Sequence, residues 1–337
     1  MDKLINVYPI HPIYKEVCQE HQKKLALMHL KTSAVSTPES EYEAITEIRA
    51  AADEFALKFP IPETLRIKQE VSGGPKNVKI ITTVFRPLGS ENKVLPIIIL
   101  CHGGGWVLGS SITHAKLATD LCIRSQAAVM LVEYGLSPEF KFPVANEQVY
   151  AALCWVREHG HSINVNPGQI AIAGDSAGGN MATVVSMMAK DRGMGDIIKA
   201  QILMYPAVAA DTENYASYKI YGNGDCYLSL KEAELCASAY IPSSIDKTKN
   251  VYITPVLATI DQLKGLPPAL ILTCECDILR DEGEAYTSKL IAADVYAVGM
   301  RVLGTIHSYM SMPVPETPQY RTSMNMIVDF LKDQAKF

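Results

Sequence analysis

The stretch Ile170-Ala171-Ile172-Ala173-Gly174-Asp175-Ser176-Ala177-Gly178-Gly179-Asn180-Met181-Ala182 carries an apolar run into an amphipathic segment through Gly-x-Ser-x-Gly. This pattern reads as a buried strand, a sharp turn and a helix, with the serine presented outward on a strained backbone. Glycines 174 and 178 let strand and helix approach closely. The amino-terminal dipole of the helix then faces any negative charge that develops at the serine. An incidental serine in a glycine-rich turn is the competing reading, because pentapeptide matches also arise by chance.

Working outward, short apolar runs alternate with longer amphipathic ones. Residues 97–101, 128–132, 170–173, 200–204, 270–274 and 299–303 read as buried strands, and 144–159, 177–192 and 282–292 as helices between them. Such alternation predicts an α/β fold, a mostly parallel sheet with helices on both faces. Upstream, 66–71 and 78–85 flank Ser72-Gly73-Gly74-Pro75 and read as a hairpin. The first sixty residues read as two helices. One carries Ile13, Val17, Leu25 and Met28 on a face; the other starts at Thr37-Pro38-Glu39 and carries Tyr42, Ile45, Ile48, Ala52 and Phe55. Between Pro206 and Leu266 no sheet strand is legible, only a helix-like run at 228–240 after a turn-rich 221–225. That interval reads as an insertion covering the ligand-binding edge of the sheet together with the N-terminal helices.

The chain has 337 residues, 48% apolar and 20% charged, which suits one or two globular domains and excludes disorder. A net charge of −5 without a basic run argues against nucleic acid or an anionic membrane as partner. No apolar run approaches the ~20 residues of a bilayer span, and Met1 to Asn6 do not open a secretory signal, so a cytoplasmic protein is expected. Its eight cysteines, at 18, 101, 122, 154, 226, 236, 274 and 276, read as reduced thiols. Cys274-Glu275-Cys276 lacks the spacing of a zinc knuckle, so neither metal nor cofactor is expected.

A second chemical element is Cys101-His102-Gly103-Gly104-Gly105-Trp106, directly after another apolar run. Three glycines leave backbone N–H groups open to a ligand, as an oxyanion hole requires. A dinucleotide loop does not fit, because Leu108 stands where the third glycine of that fingerprint belongs. His102 is expected to order the loop, and the remaining histidines to pack, cap or face solvent.

His102-Gly103-Gly104-Gly105, Gly174-Asp175-Ser176-Ala177-Gly178-Gly179 and Asp277-x-Leu279-Arg280-Asp281-Glu282-Gly283 together resemble the hormone-sensitive-lipase family of α/β-hydrolases, from about residue 95 onward. Leu266-Pro267-Pro268-Ala269 and Gly304-Thr305-Ile306-His307 fit the same pattern. The resemblance implies an eight-stranded hydrolase core, a helical cap from 1–58 and 207–250 over a catalytic unit of 59–206 and 251–337, and carboxylic-ester hydrolysis. It implies an oxyanion hole from Ala177 and two of Gly103, Gly104 and Gly105. In this fold the triad runs Ser, acid, His, which selects Ser176, Asp277 and His307. Glu275, Asp281 and Glu282 compete for the acid by proximity. Trp106 and Asp175 are expected near the substrate pocket, with a packing role as the alternative for Trp106.

Two departures from the family pattern stand out. Tyr134-Gly135-Leu136-Ser137-Pro138-Glu139 has glycine where arginine is usual, and Ser308 follows His307 where glycine is commoner. The expected partner is a small-molecule ester of short to medium acyl length, with a homodimer left open. The rival readings are a non-catalytic small-molecule receptor on the same fold, whose relatives lack the catalytic histidine, and a hydrolase of amides or thioesters.

Overall fold

The computed structural model describes residues 10–32, 38–73, 79–210 and 212–337. In chain order the elements are α1 (Pro12–Thr32), α2 (Pro38–Ala56), β1 (Leu65–Ser72), β2 (Lys79–Arg86), β3 (Leu95–Cys101), α3 (Ala115–Ser125), β4 (Ala128–Glu133), α4 (Val144–His159), β5 (Val165–Asp175) and α5 (Ala177–Asp191). There follow β6 (Ile198–Met204), α6 (Ala216–Tyr221), α7 (Leu230–Tyr240), α8 (Ile260–Leu263), β7 (Ala269–Cys276), α9 (Arg280–Ala292), β8 (Ala297–Ile306) and α10 (Pro318–Phe330). Eight strands form one sheet in the order β1-β2-β4-β3-β5-β6-β7-β8. Pairing is antiparallel for β1–β2 and β2–β4 and parallel from β4 through β8.

Strand alternation divides the core into two layers. Ile97, Ile99 and Cys101 of β3 face one apolar cluster with α4 and α5, while Ile98 and Leu100 face another with α3 and α10. Both faces are covered, which is why these strands read as continuous apolar runs. Cys274 and Cys276, two residues apart on β7, fall in the same layer as Cys18 and Cys226, and all eight cysteines are free. Among the described residues no cluster of histidine, cysteine and carboxylates is arranged to hold a metal ion, and no helix is long and apolar enough to cross a membrane.

The N-terminal helices form, but their faces differ from the expected ones. Among the described side chains of α1, Tyr14 and Cys18 are buried, with Ile13 and Val17 only half-buried. The sequence pattern lies one position off because Tyr14 buries its ring while its hydroxyl pairs with Thr317 Oγ1 at 2.8 Å. The side chains of Leu25 and Met28, the cap residue Thr37 and the hairpin positions Gly74 and Pro75 lie outside the described residues. In α2 the expected stripe is shallow: Tyr42 and Phe55 are exposed, and Ile45, Ile48 and Ala52 are half-buried. The 207–250 interval holds α6 and α7 and, among the described residues, no strand. It meets α1 through His21 Nε2 and Glu232 Oε1, 2.9 Å apart, and through Gln22 Nε2 donating to Asp225 Oδ1 at 3.2 Å.

Candidate active site

In the parallel part of the sheet, ordered β3-β5-β6-β7-β8, the carboxyl ends of β3, β5, β7 and β8 are each followed by a loop carrying one of the motifs. Ser176 sits between β5 and α5 with φ +55° and ψ −120°, a strained conformation for a non-glycine residue. The turn is this tight only because its neighbours lack side chains. A Cβ at Gly174 would stand 2.1 Å from Gly178 O, and one at Gly178 would stand 2.0 Å from Cys101 O. Asn180 ties the elbow helix to the loops on either side of α6 and α7, donating through Nδ2 to Ala207 O and Ile253 O at 2.8 and 3.0 Å.

The loops after β7 and β8 bring Asp277 and His307 to this serine across 101 and 131 positions of sequence. His307 Nδ1 lies 2.7 Å from Asp277 Oδ2, and His307 Nε2 lies 2.9 Å from Ser176 Oγ. All three side chains are buried, and the second carboxylate oxygen of Asp277 accepts the Leu279 N–H at 3.0 Å. The rival acids are occupied elsewhere. Glu275 Oε2 accepts from Gly304 N–H at 2.6 Å. Asp281 accepts from Ser217 N–H and Arg280 Nε, each at 2.8 Å. Glu282 is fully buried, where Oε1 accepts from Val208 and Ala209 N–H and Oε2 from the Tyr218 hydroxyl. Burial pushes the Glu282 carboxyl up to about 8 in spite of those three donors.

Opposite the serine, the glycine loop folds into a turn in which Val107 and Leu108 N–H donate to Gly104 O at 3.0 and 2.8 Å. Gly104 and Gly105 adopt φ +108° and +62°, the region that favours glycine. Their N–H groups have no partner among the described residues. Ala177 occupies the first position of α5, where the N–H has no intrahelical acceptor. Gly103 differs from its neighbours: its N–H donates to Asp175 Oδ1 at 2.8 Å, with His114 Nε2 3.3 Å away. Of the three glycines expected to supply donors, Gly103 thus has its N–H engaged, which leaves those of Gly104 and Gly105.

Asp175, expected near the substrate pocket, does not line the cavity. It is 1% exposed, behind the loop. Burial alone would raise its carboxyl, but His114, Ser311 and the Gly103 N–H outweigh that and hold it below the usual aspartate range. His102 stacks on Tyr134 with ring centroids 4.2 Å apart, and Tyr134 Oη donates to His102 O at 2.8 Å. Desolvation pushes His102 down to about 3, so it orders the loop as a neutral ring.

Trp106 both lines the cavity and packs against α7, lying parallel to Tyr240 with centroids 4.3 Å apart. The cavity of about 800 Å³ opens on Ser176, His307, Gly104, Gly105 and Ala177; α7 and the 241–248 segment after it form much of the remaining wall, with His21 of α1 at its edge. Tyr205 escapes any motif search. It follows β6 with φ +38°, its ring lies edge-on to His307 at 5.1 Å, and its hydroxyl accepts from Met310 N–H at 3.2 Å. Ser308 takes φ +68°, the backbone conformation that glycine would adopt without strain.

A family model described as alpha/beta hydrolase fold matches residues 98–311. The carboxylesterase NlhH of Mycobacterium tuberculosis is 34% identical over 259 residues, 76% of this chain and 79% of its own. An arylesterase of Saccharolobus solfataricus is 30% identical over 298 residues, 86% of this chain and 91% of its own. Among solved structures, a fungal esterase from Rhizomucor miehei superposes with a TM-score of 0.87 at 38% identity, covering 97% of this chain and 98% of that one.

Proposed function

This chain belongs to the α/β-hydrolase fold family, in its hormone-sensitive-lipase-like branch, and from that premise we infer that it is a serine carboxylesterase working through an acyl-enzyme on Ser176. The observation that carries the residue assignment is the Asp277–His307–Ser176 relay opening on a cavity beside three N–H groups free to receive an oxyanion. His307 Nε2 takes the Ser176 proton as Oγ attacks the ester carbonyl, while Asp277 holds Nδ1–H and stabilises the imidazolium. Gly104, Gly105 and Ala177 N–H groups receive the oxyanion. His307 then protonates the departing alcohol, and water repeats the cycle on the acyl-enzyme. A receptor would have no use for the complete relay.

The cap in this reading comprises 1–58 and 207–250, over a catalytic unit of 59–206 and 251–337. Walls from α7 and the 241–248 segment bound the cavity, so short to medium acyl chains, butyrate to octanoate, are the preferred substrates. Eight free thiols accord with a cytoplasmic location.

The test is a fluorophosphonate adduct located by mass spectrometry, alongside kcat/KM for p-nitrophenyl acetate through palmitate. The adduct is expected on Ser176, and Ser176→Ala is expected to lose on the order of 10⁶ in kcat while keeping its fold. An adduct on another serine refutes the nucleophile, and a monotonic rise in kcat/KM to palmitate refutes the bounded pocket. Faster turnover of matched amides or thioesters reassigns the bond cleaved.

A further inference from the structure

Helix α2 is held against the site by polar contacts more than by burial. Tyr42 is 49% exposed and Phe55 42%. One turn apart on the same face, Arg49 and Asp53 reach the segment that follows the glycine run. Arg49 Nε donates to Val107 O at 2.8 Å, and Nη2 donates to Ser137 O at 2.8 Å. Nη1 and Nη2 also grip the two Glu139 oxygens at 2.6 and 3.0 Å. Asp53 Oδ1 accepts from Ser110 Oγ at 2.5 Å. The two loops that Arg49 joins are bonded to each other, because Ser137 N–H donates to Trp106 O at 2.8 Å.

These contacts fall on Val107, Ser110, Ser137 and Glu139, none of which lines the cavity, beside a turn whose Gly104 and Gly105 do line it. Val107, whose carbonyl Arg49 holds, closes that turn by donating its own N–H to Gly104 O at 3.0 Å. The guanidinium fork makes four directed bonds at once, which a lysine ammonium cannot reproduce in the same plane. It also answers the departure at Gly135. A Cβ there would meet the Phe140 ring at 2.7 Å, so the cation facing Glu139 comes from α2, 90 positions upstream in the chain. Arg49 does not line the cavity and touches none of Ser176, Asp277 and His307.

We propose that Arg49 is a positioning residue for ester hydrolysis: from helix α2 it locks the Gly104–Leu108 turn and so pre-sets the oxyanion donors. The inference rests on the reading of Gly104, Gly105 and Ala177 as those donors. Pre-set donors favour the transition state over the bound ester, so loosening them lowers kcat and leaves KM largely in place.

The experiment compares the full chain with Arg49→Ala, Arg49→Lys and Glu139→Gln on p-nitrophenyl butyrate, each variant checked for its melting transition. Removing a single oxyanion donor costs about 10²- to 10³-fold in kcat, and a loosened turn is expected to cost less, about 10- to 100-fold in Arg49→Ala, with KM changed less than about 2-fold. Affinity for butylboronic acid, whose serine adduct is tetrahedral and anionic, is expected to fall in step with kcat. Millimolar methylguanidinium is expected to restore part of the Arg49→Ala rate while leaving the wild type unchanged.

A kcat within about 3-fold of wild type in folded Arg49→Ala overturns the proposal, as does a rise in KM at constant kcat. Should Arg49→Ala fail to fold, Arg49→Lys and Glu139→Gln carry the decision, because both keep hydrogen-bonding groups in place; an unchanged kcat and boronate affinity in both overturns it. Inactivity of the wild type, or full activity of Ser176→Ala, instead refutes the underlying esterase reading.

Discussion

Replacing Asp277 by asparagine tests the relay at its most structurally determined point. Both oxygens of this carboxylate accept, one from His307 Nδ1 at 2.7 Å and the other from Leu279 N–H at 3.0 Å. An asparagine offers one acceptor and one NH₂ group, so one of these donors must meet another donor. Where the NH₂ group faces Nδ1, the imidazole carries its proton on Nε2 and can no longer accept the Ser176 proton. The charge is lost as well. With about 4 Å between charge centres and an effective dielectric constant near 20, the pair is worth about 4 kcal/mol, roughly a thousand-fold in rate. Together with the wrong tautomer the expected loss in kcat is about 10³- to 10⁴-fold. Glu275→Gln is the matched control. It keeps an acceptor for Gly304 N–H, so its kcat is expected within about 10-fold of wild type. The assay is p-nitrophenyl butyrate turnover at pH 8, with near-UV circular dichroism to equalise the folded fraction. A folded Asp277→Asn within 10-fold of wild type, or an equal loss in Glu275→Gln, refutes the assignment of the acid.

Three further outcomes follow from the same geometry. Glu282 is raised to about 8 by burial, so between its ordinary value near 4.5 and 8 the folded state holds a proton that the unfolded state has released. Its contribution is therefore present below about pH 4.5 and declines by about 1.4 kcal/mol per pH unit up to 8; Glu282→Gln is expected to gain on wild type in urea unfolding between pH 6 and pH 9, and a constant difference refutes the shift. Ser308→Gly relieves the positive φ beside His307 and is expected to raise stability by about 1 kcal/mol, whereas a lower melting temperature shows that the serine side chain holds the loop. EDTA is expected to leave turnover unchanged; a loss restored by zinc would implicate Cys274 and Cys276 as ligands.

The sequence by itself determined the sheet, the elbow and the order of the relay. Residues 170–182 state a strand, a turn and a helix locally, since an apolar run, two glycines and an amphipathic segment are each readable within a dozen residues. The glycine run and the late Asp277 and His307 are likewise local signals at strand ends. What the sequence left open were matters of pairing over long separations. Whether Asp277 or Glu275 faces His307 depends on how the end of β7 meets β8, and there Gly304 N–H claims Glu275. Gly103 looks like its two neighbours until Asp175, 72 positions away, takes its N–H. The buried face of α1 is set by Thr317, 303 positions from Tyr14, and the cation for Glu139 by Arg49 on a helix with little apolar burial. Hydrophobic periodicity reports which way a segment faces. Directed polar contacts depend on which atoms arrive opposite one another after packing, and only the tertiary structure brings those atoms together.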